Sequence, residues 1–298
     1  MKIMILGMGE IGLALEHVLK DNSKHQVIGW DKNASKIPHQ HSLQDSLQGA
    51  ELIFLCVPSW NLRGAVMNIT PFLSDSTGII SLAKGIEKES HKTPDEILSE
   101  LLPGRAMGVL GGPMIAEDIL SGKLTSGVLA TNSAKLKTQV KRLFKESRLR
   151  ILTSSDVHGT VLCGVLKNTY TLSIGIAEGL GLGENAKGVL FSCALSEMRT
   201  LVKMLGGSTS TVLGLAGAGD FFATAMSTHS RNRMVGIALG TNGDGHLESE
   251  GFVSLNCIQT MVDVEQSKLP LLSCLIKIAR KQVAPILLKE VIFGQQKA

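Results

Sequence analysis

The chain has 298 residues, enough for two domains with a sizeable core. Its net charge of +4 at pH 7 is mild and shows no basic block, which disfavours nucleic-acid and membrane-surface binding, and no apolar run approaches a membrane span. The five cysteines (Cys56, Cys163, Cys193, Cys257, Cys274) are scattered without C-x-x-C spacing and the eight histidines are dispersed, so reduced thiols of a cytoplasmic protein are expected, with no metal site.

Lys2 to Leu6 is a short apolar run that reads as a buried strand. It leads into Gly7-Met8-Gly9-Glu10-Ile11-Gly12 and then an amphipathic helix through Leu19. Strand, glycine turn and helix form the context in which G-x-G-x-x-G marks a dinucleotide site. Gly7 permits the tight turn, Gly9 lets backbone approach a pyrophosphate, and Gly12 brings helix against strand. A second strand, Gln26 to Trp30, closes with Asp31, about twenty residues past the motif, where an acid accepts from a ribose and repels a 2′-phosphate. Lys32 beside it weakens that selectivity, so both NAD and NADP remain open as cofactors.

A third strand, Leu52 to Val57, runs into Pro58-Ser59-Trp60, beside the cofactor crevice of a doubly wound sheet. A helix over Asn61 to Thr70 precedes a strand from Gly78 to Ala83, which places Lys84 at a strand's carboxyl end, where ligands bind in such sheets. Thr93-Pro94-Asp95-Glu96 is a capping box with Pro at the first helical position. After an apolar run from Ala106 to Leu110 comes a second glycine turn, Gly111-Gly112-Pro113-Met114-Ile115-Ala116. Two further strands are expected near Ser126–Thr131 and Leu149–Thr153, with a basic amphipathic helix between them. This alternation predicts an α/β fold: a Rossmann-type, doubly wound parallel sheet over residues 1–155.

From Asp156 the pattern turns to long apolar-periodic segments, predicting an all-α domain over 156–298. Leu162-Cys163-Gly164-Val165-Leu166-Lys167-Asn168 sets a lysine on an apolar segment, where its charge needs partners. The stretch Gly175 to Gly183 that follows is too glycine-rich for an ordinary helix surface. Ala186 to Leu205 reads as one helix stopped by Gly206-Gly207. Next come the glycine run Gly214 to Gly219 with Asp220 and Thr224, then Ser230-Arg231-Asn232-Arg233, a mobile loop at Gly240–Glu248, and helices from Pro270 to near Phe293.

A dinucleotide site implies redox chemistry, and hydride transfer at a carbon bearing oxygen needs a proton carrier. No histidine sits in a comparable setting, which leaves Lys167 as the candidate. Its reference pKa of about 10.4 must be lowered by burial and a nearby cation for base catalysis near neutrality. Lys84 is a source of that like charge, and Asp220 is placed to orient the ammonium. Arg231 and Asn232 offer a planar fork and an amide suited to phosphate or carboxylate.

The chain resembles the NAD(P)-dependent glycerol-3-phosphate dehydrogenases of the soluble bacterial type over nearly its whole length. The resemblance is carried by Gly7-x-Gly9-x-x-Gly12, Val57-Pro58-Ser59, Lys84-Gly85-Ile86-Glu87, Gly112-Pro113 and Gly164-x-Leu166-Lys167-Asn168. Further on it is carried by Gly183-x-Asn185-Ala186-Lys187, Leu215-Ala216-Gly217-x-Gly219-Asp220, Ser230-Arg231-Asn232 and Glu250-Gly251. It implies Lys167 as proton acceptor toward the C2 hydroxyl, with Lys84, Asp220, Ser230, Arg231 and Asn232 holding glycerol 3-phosphate. Gly112, Met114, Asn168 and Thr224 are counted with these as substrate contacts. It also implies that Glu10, Ile11, Lys84, Ala116, Arg231 and Glu250 touch the dinucleotide, and that the enzyme is a homodimer feeding phospholipid synthesis.

Four positions depart from the family pattern. Ile11 stands where a Trp is usual, Met114 where a Ser follows Gly-Pro, Val161 where a Glu precedes the Lys-Asn pair, and Cys193 where an Arg follows the Asn-Ala-Lys block. These departures keep two alternatives open: a dehydrogenase of another small hydroxy acid, and a catalytically silent nucleotide-binding paralogue.

Overall fold

The computed structural model describes residues 1–21, 24–241, 248–262 and 269–294. Most of the loop expected at Gly240–Glu248 therefore lies outside the described residues. Two compact units are present, one formed by Met1–Lys84 and Lys92–Val161, the other by Gly85–His91 and Leu162–Ala298.

The first unit alternates strand and helix in chain order. Its elements are β1 (Lys2–Leu6), α1 (Glu10–Lys20), β2 (Gln26–Trp30), α2 (Leu43–Leu47), β3 (Leu52–Leu55), α3 (Ser59–Ile69) and β4 (Gly78–Ser81). They continue with α4 (Pro94–Leu101), β5 (Met107–Gly111), α5 (Ala116–Leu120), β6 (Thr125–Ala130), α6 (Ala134–Leu143) and β7 (Leu149–Ser154). The strands form one sheet in the order β2-β1-β3-β4-β5-β6-β7. Side chains of alternating residues go to opposite faces: Ile3, Ile5 and Phe54 join one apolar cluster, while Met4, Leu6, Ile53 and Leu55 join the other. Burial on both faces explains why these strands read as unbroken apolar runs. The chain reverses its direction of travel across the sheet at β1, so the carboxyl ends of β1 and β3 bound the crevice where such folds bind ligands.

The sheet is not parallel throughout. β1 to β5 are mutually parallel, whereas β6 runs antiparallel to β5 and β7 parallel to β6. The cause is the connection: α5 has five residues, a helix of about 7 Å, too short to carry the chain back along a strand of about 16 Å. β6 therefore enters from the end where β5 leaves.

The second unit contains α7 (Val157–Gly179, whose first residues belong to the first unit), α8 (Gly183–Met204), α9 (Thr209–Leu213), α10 (Asp220–Met226) and α11 (Arg231–Gly240). It ends with α12 (Glu250–Met261), α13 (Pro270–Ala279) and α14 (Leu288–Gly294). The glycine-rich stretch does not break α7; the helix runs through Gly175 to Gly179. Its glycines face α11 instead. A Cβ on Gly175 would lie 2.8 Å from the Gly236 Cα, and one on Gly179 would lie 3.2 Å from the Gly240 Cα. The two helices cross backbone against backbone, with two glycines four residues apart on each. A buried Glu197 of α8 ties three helices together: it accepts from the Tyr170 hydroxyl of α7 (2.8 Å) and from the Leu271 (2.6 Å) and Leu272 (2.9 Å) N–H groups that open α13.

Candidate functional site

In the first unit the glycine turn is held from three sides. Gly7 has φ +98°, a conformation glycine adopts freely, and a Cβ there would sit 2.7 Å from the Cys56 carbonyl oxygen at the end of β3. A Cβ on Gly12 would meet the Gly7 oxygen at 2.1 Å, so this glycine lets α1 press onto the turn itself. Gly9 is the N-cap of α1, gives no side-chain cap to it, and faces open space. A helix N-terminus behind a glycine turn, with no side-chain cap, is the arrangement a pyrophosphate requires. Glu10 is exposed and Ile11 half-buried, whereas Met8 is buried with its thioether packed over Gly29.

Asp31 departs from the simple ribose-acceptor reading. Its Oδ2 accepts from the Met8 N–H (2.8 Å) and the Lys36 ammonium (3.0 Å), and its Oδ1 from the Asn33 N–H (2.9 Å). Burial alone would raise this carboxyl; the Asn33 and Met8 N–H groups and Lys36 outweigh it and hold the group below the usual carboxylate range. The acid braces β2 against the glycine turn, with both oxygens engaged by the chain. Gln40 brackets its backbone, donating to the Asp31 oxygen at 2.8 Å and accepting from its N–H at 3.1 Å. Sequence reading missed Lys36 and Gln40; the only signal was the polar stretch after the strand. Lys32 and Pro58 are exposed.

The carboxyl end of β4 carries Lys84, whose ammonium donates to the Gly112 oxygen at 3.1 Å. Two turns that the sequence singled out separately are thus joined. Ala116 is buried at the start of α5. Met114 belongs to the apolar core, its sulfur filling the space beside Gly127; a thioether is driven there because nothing polar on it opposes burial.

The second constellation is built on α7, α10, α11 and α12. Lys167 is 6% exposed, and its ammonium donates to the Thr224 hydroxyl at 2.6 Å and lies 3.0 Å from the Asp220 carboxylate. Thr224 also reaches Asp220 at 3.4 Å. The glycine run explains how Asp220 arrives there: Leu215–Gly219 forms a single π-helical turn, and Asp220 is the first residue of α10, with Thr224 one turn on. The structure thus brings Lys167, Asp220 and Thr224 together.

Beside Lys167, the Asn168 Oδ1 accepts from the Asn232 side-chain amide (3.0 Å), and the Asn232 Oδ1 accepts from the Gly251 N–H (2.9 Å). Ser230 caps α11, its hydroxyl accepting from the Arg233 N–H at 3.3 Å. Asn232 and Ser230 fix the start of α11, and Arg231 is exposed in the first turn of that helix. Glu250 opens α12 next to Gly251. Arg233, not singled out from the sequence, forms a two-pronged pair with Glu178 (2.8 Å on each prong). No spacing in the sequence signals a contact between Asn168 and Asn232, which lie far apart in the chain.

Comparison with known proteins places these residues in context. Residues 34–137 match the N-terminal part, and residues 156–289 the C-terminal part, of the family described as NAD-dependent glycerol-3-phosphate dehydrogenase. A glycerol-3-phosphate dehydrogenase [NAD(P)+] of Acidithiobacillus ferrooxidans is 34% identical over 263 residues, covering 81% of this chain and 76% of its own. The Staphylococcus carnosus protein of the same name is 31% identical over 314 residues, covering 95% of this chain and 94% of its own. The crystal structure of a glycerol-3-phosphate dehydrogenase from Coxiella burnetii superposes with a TM-score of 0.87 at 27% identity, covering 100% of this chain and 99% of the other.

Proposed function

The chain belongs to the NAD-dependent glycerol-3-phosphate dehydrogenase family, and on that premise we propose that it moves a hydride between NAD(P) and C2 of sn-glycerol 3-phosphate or dihydroxyacetone phosphate, with Lys167 carrying the proton. The observation that carries this reading is the buried Lys167–Asp220–Thr224 cluster. An ammonium this far from water is kept only where partners hold it, and here the partners leave it on a helix whose neighbour in sequence, Asn168, is itself fixed by Asn232.

The glycine turn fits a dinucleotide: a left-handed Gly7, a Gly12 with no room for a side chain, and a helix N-terminus without a side-chain cap. Gly7, Met8, Gly9, Glu10, Ile11 and Gly12 would hold the pyrophosphate side, and Lys32 and Pro58 the adenosine side, with Asp31 bracing the turn behind them. When bound, the cofactor supplies the hydride-transferring nicotinamide. Lys167 gives a proton to the C2 oxygen as the ketone is reduced and takes it back as the alcohol is oxidised. Asp220 and Thr224 stabilise the charged, proton-giving form and aim it. Arg231, at the N-terminal turn of α11, offers charge and N–H donors to the substrate phosphate. Residues 1–155 would serve as the cofactor domain and 156–298 as the substrate domain. We place the enzyme in the cytoplasm as a homodimer, in keeping with five cysteines that form no disulfide and with exposed Leu213, Phe222 and Met226 on the helices of the second unit.

The test is oxidation of NADH and NADPH by the purified protein in the presence of dihydroxyacetone phosphate, with Lys167→Met in parallel. Wild type should turn over; Lys167→Met should lose about 10²–10⁴-fold in kcat while still binding NADH by fluorescence. Turnover retained in that variant removes Lys167 from the proton path. A wild type that binds NADH yet reduces only a carboxylated ketone replaces the substrate assignment.

A further inference from the structure

The mild net charge conceals a strong segregation. Between residues 119 and 150 fall eight of the 30 Lys and Arg but only one of the 26 Asp and Glu, so the rest of the chain is net negative. The fold gathers the densest part of this segment at one end of the sheet. Because β6 and β7 are parallel, the loops that enter them, 121–124 and 144–148, lie side by side. They are stitched together: the Arg148 guanidinium donates to the Gly122 oxygen at 2.6 Å, and the Thr125 N–H to the Arg148 oxygen at 3.1 Å. Lys145 and Arg148 stand on these loops, Lys141 and Arg142 on the last turn of α6, and Arg150 on β7, all five exposed, while the exposed Lys123 is paired with Asp118 at 2.6 Å.

In the middle of these cations stands Leu124, 87% exposed, the most exposed of the large apolar side chains in the described residues. Leu120, in the last turn of α5, and Leu152, on the outermost strand, are also exposed. Leucines exposed to water among lysines and arginines match one kind of partner: a surface of phosphate groups with hydrocarbon just beneath. We infer that this end of the first unit docks on an anionic phospholipid bilayer, the cations meeting headgroup phosphates and Leu124 entering the acyl boundary. A nucleic acid fits less well, because no aromatic side chain is exposed in the segment (Phe144 is buried) to stack on bases. The inference stands apart from the dehydrogenase reading, since none of these residues is assigned to the cofactor or substrate.

Co-sedimentation of the full chain with vesicles tests it, using phosphatidylcholine mixed with phosphatidylglycerol, phosphatidylcholine alone, and a short DNA duplex as competitor. Expected is binding to the mixed vesicles only, released by high salt. Lys145→Gln and Arg150→Gln should each weaken it about fivefold, and Leu124→Ser about tenfold, with circular dichroism and thermal melting unchanged in all three. Absence of binding to the mixed vesicles overturns the inference. So do equal binding to phosphatidylcholine alone, indifference to the three substitutions, and displacement of the vesicles by duplex.

Discussion

At the scale of single residues, the molecule turns on charges taken out of water. The Lys167 and Asp220 side chains are 7% and 4% exposed, and each compensates the burial of the other. Asp220→Ala leaves an ammonium without its counter-charge, so unfolding free energy should fall by about 3–5 kcal/mol, read from urea denaturation, and turnover should fall with it. Asp95 poses a separate case. Burial pushes its carboxyl up, but the His158 ring at 2.8 Å and the Thr93 hydroxyl at 2.7 Å more than offset this and hold it below its ordinary range. A carboxyl lowered on folding gives stability that is complete above its unfolded value, near 4, and is lost as pH falls through the folded value. Asp95→Asn should therefore flatten the acid limb of a stability–pH curve below about pH 5; an unchanged acid limb would show that the pairing contributes nothing.

At the scale of elements, glycine placement separates packing from mere tolerance. Gly236 and Gly188 both sit inside helices, yet a Cβ on Gly236 would meet the Leu172 oxygen at 2.3 Å, while one on the exposed Gly188 would meet nothing within 4 Å. Gly236→Ala should force α7 and α11 apart and cost about 1–3 kcal/mol or more. Gly188→Ala should gain about 0.5–1 kcal/mol by reducing the freedom of the unfolded chain. Thermal melting of the two variants should move in opposite directions. The same seam links packing to chemistry, because α7 carries Lys167 and Asn168 and α11 begins at Arg231 and Asn232. Much at this scale was legible in advance. The capping box at Thr93 forms, its N–H donating to Glu96 at 2.7 Å, and α8 ends at Met204 just before Gly206. Caps and stops are local chemistry, written within four residues of where they act.

At the scale of the whole molecule, a bound cofactor selects the folded state. Saturating NADH or NADPH at about 100 times Kd should add about 2.7 kcal/mol, seen as a rise in Tm. Gly7→Ala, which puts a methyl 2.7 Å from the Cys56 oxygen, should abolish the rise. The sequence by itself determined the periodicities, and with them the sheet-and-helix first part, the helical second part, the glycine turn and the isolated Lys167. It also held enough ordered motifs to point to the family. These features are set by neighbours along the chain: side-chain alternation, turn chemistry and capping. Tertiary structure decided the reversed direction of β6, the inward use of Asp31, the core position of Met114, and the link from Asn168 through Asn232 to Gly251. Each of these depends on groups distant in sequence competing for one donor, one void or one sheet edge. The outcome is fixed by which partner lies nearest in space, and residue spacing carries no record of that.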